Sequence, residues 1–297
     1  MHRSLTLDSA PVRILITGAA GLLGSHFTRR LQQGHQVVSL KHGDLDITDR
    51  PAVERCVADN KPDLIINCAV LQVDDAERDP QKATAVNIEG PRFLAEAGNR
   101  AGAKIVHFST QYVFAGEPLK RAPYTIRDKP SPVNVYGKTK LIGEEAVHEA
   151  CGRSYIIRTA WVYGGGKESF LCTVFRDLRM RKPVHAIDDI WSSTTYVEDL
   201  IDRVMAIQQT GRYGTYHIVN TGICSYYEFA LEAGRLAGSD DRELNALIRI
   251  THERNMKRSA KRPSWTPLRC LLSEELGLPP MRDWRAALAA YAREKTE

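Results

Sequence analysis

The feature that most constrains the fold is an alternation of short apolar segments with longer helical patterns along the first half of the chain. The apolar segments are rich in Val, Ile and Leu and lack polar alternation, as expected for strands buried on both faces of a sheet. This order predicts a parallel, doubly wound sheet of the Rossmann-like α/β class, with right-handed crossovers. The predicted strands cover residues 12–17, 36–40, 63–68, 104–108 and 154–158, and the predicted helices cover residues 22–33, 50–60, 80–101 and 136–150.

After Thr159 the alternation loosens, and the pattern predicts a smaller C-terminal α/β lobe over the carboxyl edge of the sheet, where ligands bind in such folds. We expect a dinucleotide-binding domain of residues 11–160, continued by about 186–215, and a substrate-binding lobe of residues 161–185 and 216–297. The helices predicted in this half cover residues 170–181, 198–209, 226–236 and 284–293, and a Pro/Arg-rich loop covers residues 257–267.

Composition narrows the function classes. The chain has 297 residues, 43% of them hydrophobic, and no apolar run long enough to cross a membrane. Its first ten residues lack the apolar block of a signal peptide and are predicted to form a loose tail. The six cysteines are scattered without a Cys-x-x-Cys pair, which favours reduced thiols in the cytoplasm.

The charges favour small anionic ligands. A net charge of +5 is too mild to indicate a nucleic-acid partner, and the nine histidines show no metal-binding spacing, so we expect no metal site. A homodimer is compatible with the sequence, but no residue pattern specifies it.

A glycine-rich segment follows the first predicted strand and opens the first helix. Small residues let the backbone approach a diphosphate, and the N–H groups at the helix start then face its negative charge. Gly18, Gly21 and Gly24 therefore predict a dinucleotide site, with a purely structural turn as the alternative. Their Gly-x-x-Gly-x-x-Gly spacing resembles that of extended short-chain dehydrogenases.

The end of the second strand bears on the choice of cofactor. An acidic residue there would bind the adenosine ribose hydroxyls and repel a 2′-phosphate. This strand is instead followed by Lys41, which favours NADP(H) over NAD(H), unless Lys41 is simply a solvated surface residue. Asp46 and Ile47 come later in the chain and are expected to border the adenine.

Tyr136 and Lys140 carry the clearest catalytic signal, because residues one helical turn apart share a helix face. A free tyrosine has a pKa of about 10. A nearby ammonium and a ribose hydroxyl would lower the pKa of Tyr136, which would then protonate a carbonyl oxygen during hydride transfer. Lys140 would also hold the nicotinamide ribose. Ser109 and Thr110 end the fourth strand, where their hydroxyls would bind the same carbonyl oxygen, with backbone capping as the alternative.

These motifs together resemble the dTDP-4-dehydrorhamnose reductase family, and the likeness runs through nearly the whole chain in the same order. Besides the glycine loop and the Tyr136–Lys140 pair, the matching segments are residues 46–49, 62–67, 73–77, 85–87, 109–116, 143–144, 158–163, 262–263 and 283–288.

The resemblance implies reduction of the 4-keto group of dTDP-6-deoxy-L-lyxo-4-hexulose to dTDP-L-rhamnose. Trp161 would face the sugar, Ser109 and Gln111 would lie beside it, and Arg262 would meet the nucleotide-sugar end. The catalytic residues implied are Thr110, Tyr136 and Lys140, and the dinucleotide would contact Gly18, Gly21, Leu22, Leu23, Asp46, Ile47, Ala69 and Asn87.

The sequence departs from the family pattern near the presumed sugar pocket. Gln111 replaces the usual aspartate, the loop after Asn67 is one residue short and lacks a Tyr-Thr pair, and residues 190–195 differ from the expected Gln-Gly-Ser-Pro-Thr stretch. Two alternatives therefore stay open. One is a reductase of another nucleotide-activated 4-keto sugar, and the other is a non-catalytic subunit similar to the methionine adenosyltransferase beta subunit.

Overall fold

The computed structural model describes residues 11–117, 122–166 and 169–294, so the predicted tail of residues 1–10 lies outside the described residues. At its centre is a six-stranded sheet in which every neighbouring pair is parallel. Its strands are, in spatial order, β10 (Gly214–His217), β5 (Ser154–Thr159), β4 (Lys104–Thr110), β3 (Leu64–Asn67), β1 (Arg13–Thr17) and β2 (Gln36–Leu40). The predicted doubly wound α/β fold is confirmed.

Helices cover both faces of this sheet because alternate strand residues point to opposite sides. Leu15, Ile65 and Ile105 pack in one buried cluster, while Ile14 and Ile66 belong to the other. Each fully buried side chain of this size contributes about 1.5–3 kcal/mol to folding. The helices of this half are α1 (Leu22–Leu31), α2 (Arg50–Asn60), α3 (Val73–Arg78), α4 (Pro80–Thr84), α5 (Gly90–Ala101), α6 (Val135–Ala150) and α8 (Val197–Gln209).

Two of these helices show where the sequence prediction held and where it fell short. The predicted helix of residues 50–60 is α2, begun by Asp49, whose carboxylate accepts a hydrogen bond from the Ala52 N–H at 3.0 Å. The predicted helix of residues 80–101 is divided by a π-turn, Ala85–Glu89, between α4 and α5. A wider turn of this kind often marks a functional position.

The C-terminal part carries short strands and helices. Its elements are β6 (Val162–Tyr163), α7 (Phe170–Arg179), β7 (Val184–Ile187), β8 (Trp191–Ser192), β9 (Thr195–Tyr196), β11 (Cys224–Ser225), α9 (Tyr226–Leu236), α10 (Asp241–Leu247), β12 (Ile248–Thr251), β13 (Trp265–Thr266), α11 (Leu271–Glu275) and α12 (Trp284–Glu294). Residues of α9 and α12 share one buried cluster with the sheet, and β10 lies in the sheet itself. The domain boundaries stay a prediction.

Two further properties concern the environment of the chain. The six cysteines are free thiols. Within the described ranges, no helix combines the length and the apolar character that a membrane crossing needs.

Candidate active site

A cavity of about 890 Å³ opens where β1, β3 and β4 end, at the carboxyl edge of the sheet. Most of the residues singled out from the sequence line it, although they come from distant parts of the chain. Those lining residues are Gly18, Gly21, Leu22, Leu23, Asp46, Ile47, Ala69, Ser109, Thr110, Gln111, Tyr136 and Trp161.

The glycine loop at one end of this cavity is packed too tightly for larger residues. Gly18 adopts a φ of +69°, and a Cβ there would lie 2.6 Å from the Ala69 nitrogen. A Cβ on Gly24 would lie 2.3 Å from the Gly18 carbonyl oxygen. Gly18 therefore lets the loop after β1 lie against the residues that follow β3, and Gly24 lets α1 pack closely on that loop.

The start of α1 is suited to a diphosphate. Gly21 is its N-cap and offers no side-chain acceptor, and the first turn holds no acidic residue. Gly21, Leu22 and Leu23 all line the cavity. Because the first N–H groups of a helix lack intrahelical partners, they are available here to an anion.

Lys41, which we expected beside the adenosine, does not face the cavity. Lys41 is exposed and is not a lining residue, because the chain turns there: its N–H donates to the Asp44 carboxylate at 2.9 Å. This turn brings His42 to the cavity wall instead, where Lys82 of α4 joins it. His42 and Lys82 both act to lower the pKa of Asp46, although the main cause is a hydrogen bond from the Thr48 backbone.

Local structure fixes the position of Tyr136 in the first turn of α6. Asn134 caps this helix by accepting a hydrogen bond from the Gly137 N–H at 2.7 Å. A Cβ on Gly137 would lie 2.2 Å from the Tyr112 carbonyl oxygen, so only glycine lets α6 approach the end of β4 this closely. Tyr136 and Thr110 consequently share the floor of the cavity.

The acidity of Tyr136 differs from the expectation. Burial raises the pKa of Tyr136 to about 12, and a hydrogen bond with Thr110 only partly opposes this rise. The ring of Tyr112, edge-on to Tyr136 with centroids 6.1 Å apart, also lines the cavity and was not anticipated. In the protein without cofactor the pKa of Tyr136 is therefore raised, because desolvation outweighs the hydrogen bond with Thr110. The lowering expected from a ribose hydroxyl and an ammonium stays a prediction.

Lys140 lies beneath the cavity rather than on its surface. Its side chain is 1% exposed, and its Nζ lies 3.0 Å from Nε2 of His107 in the middle of β4. Burial lowers the pKa of Lys140 to about 8, while Glu144 and Cys68 act in the opposite direction. The amine expected beside the nicotinamide ribose is therefore bound to a buried imidazole in the protein alone.

Ser109 is held from below by an ion pair. Its hydroxyl donates to Glu144, and Glu144 also accepts hydrogen bonds from Arg158, with an Nη2–Oε2 distance of 2.6 Å. Both charged side chains are less than a tenth exposed. The Ser109 hydroxyl is therefore engaged below the floor, which leaves Thr110 as the hydroxyl that interacts with Tyr136.

Trp161 has the most unusual backbone in the site, with a φ of +38° although it carries a side chain. Its ring stacks on Tyr226 with centroids 3.8 Å apart. Its indole N–H is buried without a hydrogen-bond partner, and the residue lines the cavity. Strain and an unpaired donor of this kind cluster at functional sites.

Arg262 and Asn87, both expected to contact a ligand, contact neighbouring residues of the protein instead. Arg262 does not line the cavity. It forms a two-pronged ion pair with Asp74 of α3, at 3.0 and 2.5 Å, which ties the loop of residues 257–267 to that helix. Asn87 in the π-turn is fully buried and binds the backbone of Leu71, accepting from its N–H at 2.9 Å. It therefore shapes the loop that lines the cavity.

One cluster with metal-ligand chemistry lies elsewhere. Ligand atoms of Asp188, Asp189 and His252 lie within 4.8 Å of one another, and none of these residues lines the cavity. His252 binds Asp188 at 2.7 Å, and the Glu253 N–H donates to Asp189 at 2.9 Å. These hydrogen bonds account for the cluster.

Comparisons with known proteins agree with this geometry. A family model described as the RmlD substrate binding domain matches residues 12–297. The chain is 40% identical to a dTDP-4-dehydrorhamnose reductase of Mycolicibacterium smegmatis over 291 residues, which covers 97% of this chain and 87% of that protein. The chain belongs to the dTDP-4-dehydrorhamnose reductase family.

One further relative is named for a different substrate, and one solved structure contains NADP. The chain is 38% identical to a probable dTDP-4,6-dihydroxy-2-methyloxan-3-one 4-ketoreductase of Streptomyces antibioticus, covering 93% of both chains. Among solved structures, it resembles the dTDP-4-dehydrorhamnose reductase of Bacillus anthracis in complex with NADP. That similarity has a TM-score of 0.89 and 32% identity, and it covers 96% of this chain and 99% of the other.

Proposed function

We propose that this protein is an NADPH-dependent reductase of the 4-keto group of a dTDP-linked 6-deoxyhexose, with dTDP-L-rhamnose as its product. The observation that carries the proposal is the arrangement of one cavity. The uncapped start of α1 lies in the same wall as the Tyr136 phenol and the Thr110 hydroxyl. A diphosphate site and a proton donor in one crevice are what hydride transfer to a ketone requires.

The proposed roles follow from the contacts of each side chain. NADPH, when bound, supplies the hydride to the carbonyl carbon. Tyr136, whose high pKa keeps its phenol protonated, gives a proton to the carbonyl oxygen, and Thr110 orients that phenol by a hydrogen bond. Lys140 turns from His107 to hold the cofactor ribose. Trp161 offers its unpaired indole N–H to the sugar.

His42 and Lys82 are the proposed contacts of the adenosine 2′-phosphate. Both line the cavity near Asp46, whereas Lys41 does not. A cation at this place favours NADPH because the 2′-phosphate adds negative charge that NADH lacks. The preference for NADPH over NADH that we expected from the sequence is retained, but we assign it to His42 and Lys82 instead of Lys41.

A second candidate substrate is favoured by Gln111. Its side-chain oxygen accepts a hydrogen bond from the Thr110 hydroxyl at 3.0 Å, at a position where the family usually has a carboxylate. The change alters the polarity beside the reacting carbonyl. A different nucleotide-activated 4-keto sugar, of the kind named for the Streptomyces antibioticus relative, is therefore the alternative.

The test is NADPH oxidation by the purified protein with a panel of dTDP- and other nucleotide-linked 4-keto sugars. We expect turnover to be highest with the dTDP-4-keto-6-deoxyhexose that yields dTDP-L-rhamnose. Faster turnover with another sugar would select the second substrate. NADPH binding without turnover on any sugar would contradict both reductase proposals and favour the non-catalytic subunit.

Cell location and assembly are less constrained. The free cysteines support a reducing compartment such as the cytoplasm. The homodimer stays a prediction.

A further inference from the structure

A chain of four buried polar groups runs beneath the cavity and ends at Lys140. Thr17, Asn67, His107 and Lys140 are each no more than 1% exposed. The Thr17 hydroxyl donates to Oδ1 of Asn67 at 2.8 Å, and Nδ2 of Asn67 lies 3.0 Å from Nδ1 of His107. Buried groups of this kind must match donors with acceptors, so the direction of each hydrogen bond can be worked out.

Asn67 has a single orientation that satisfies its neighbours. The Ala69 backbone N–H lies 3.1 Å from the Oδ1 position and can only donate. If the amide were reversed, its NH₂ group would face that N–H, and this partly buried donor would lose its acceptor within the protein. Oδ1 therefore faces Ala69, and the NH₂ group of Asn67 donates to His107.

The orientation of Asn67 in turn fixes the tautomer of His107. Burial lowers the pKa of His107 well below 6.5, so the ring is neutral. Since Nδ1 accepts from Asn67, the ring proton is on Nε2. That N–H points at Nζ of Lys140, 3.0 Å away. An ammonium has no lone pair to receive it, whereas a neutral amine has one.

We propose that His107 is a positioning residue which, through the tautomer imposed by Asn67, donates a hydrogen bond to Lys140 and so favours its neutral amine form in the free protein. Glu144 and Cys68 favour the charged form of Lys140, but more weakly than burial disfavours it. The negative charge of Glu144 is paired with Arg158, and burial raises the pKa of the Cys68 thiol so that it stays uncharged. Tyr136, one turn away, is a neutral phenol. The part of this proposal that concerns catalysis rests on the proposed function, whereas the tautomer is a property of the free protein.

The first test is the tautomer itself, read from ¹⁵N-correlated imidazole spectra of the free protein at pH 9, above the Lys140 pKa of about 8. The resonances of His107 are assigned by their loss in His107→Phe. We expect a protonated Nε2 and an unprotonated Nδ1. A protonated Nδ1 would overturn the proposal, and the readout does not depend on enzymatic activity.

The second test measures the pKa of Lys140 by pH titration of the free protein labelled with ¹³C at its lysines. In His107→Phe the neutral amine loses its donor, so we expect this pKa to rise by roughly half to one unit. If His107 instead accepted a hydrogen bond from an ammonium, the same substitution would lower the pKa. His217→Phe is the matched control, since it removes another fully buried histidine, one with no hydrogen bond to Lys140 among the described contacts.

Asn67→Asp keeps the proposal testable if His107→Phe does not fold. A carboxylate oxygen in place of the NH₂ group accepts a hydrogen bond from a protonated Nδ1, so we expect the ring to change tautomer and the pKa of Lys140 to rise. An unchanged tautomer in this variant would refute the role given to Asn67. Failure of the proposed function would appear differently, as a lack of turnover in the wild-type protein whatever the tautomer.

Discussion

Gly18→Ala tests whether the phosphate loop is as tightly constrained as its geometry indicates. The new Cβ would lie 2.6 Å from both the Ala69 nitrogen and the Cys68 carbonyl carbon, which are backbone atoms that cannot rotate away. The φ of +69° costs a residue with a side chain about 1–2 kcal/mol. Overpacking adds about 1–3 kcal/mol. We therefore expect the free energy of unfolding to fall by roughly 2–5 kcal/mol.

Urea unfolding of Gly18→Ala measures this loss, and calorimetric titration with NADPH measures its effect on the site. Gly43→Ala is the matched control, because no atom lies within 4 Å of the Cβ it would add. That control should stay within about 0.5 kcal/mol of wild type. If Gly18→Ala unfolds and binds NADPH like the control, the reasoning about the close approach of the glycine loop to Cys68 and Ala69 is wrong.

Three further outcomes are expected. Lys82→Ala should weaken NADPH binding more than NADH binding, whereas Lys41→Ala should leave the ratio of the two dissociation constants unchanged; equal effects on both cofactors would refute the reassignment. Glu144→Gln should destabilise the fold by about 3–5 kcal/mol in urea unfolding, because Arg158 would keep a buried charge without its partner; the paired replacement Glu144→Leu with Arg158→Met should recover most of the loss, and no recovery would contradict this explanation. His217 has a pKa lowered to about 3 by burial, so between pH 6.5 and 3 the unfolded chain binds more protons than the folded one. The free energy of unfolding should therefore fall as the pH is lowered, and this group should account for about 1 kcal/mol of the loss at pH 5.5. His217→Gln should reduce the slope of unfolding free energy against pH, measured from unfolding curves across this range.

The sequence predicted the sheet and the glycine loop because both depend on local patterns, whereas Ala69 and Trp161 were placed at the cavity only through the family resemblance. Buried strands and the glycine loop are set by residues adjacent in the chain, as are the spacing of Tyr136 and Lys140 and the cap of α2. His107 carried a readable signal that was missed: a histidine in the middle of an apolar strand must find a buried partner.

Other features depend on contacts between distant residues and could not be read from local patterns. Arg262 is neutralised by Asp74, which lies 188 residues earlier in the chain. The turn at Lys41 brings His42 to the cavity wall in its place, and the π-turn places Asn87 against Leu71. The buried amine of Lys140 contacts His107, which lies 33 residues earlier in the chain. The spacing of Tyr136 and Lys140 does not predict this contact.

The central claim is that Tyr136 donates a proton in a cavity that binds NADPH independently of it. Calorimetric titration of Tyr136→Phe with NADPH, combined with its turnover on the preferred sugar, tests this claim most directly. We expect an NADPH dissociation constant close to that of wild type and turnover slower by a factor on the order of 100 or more. Wild-type turnover in this variant, or no NADPH binding by the wild-type protein, would contradict the account.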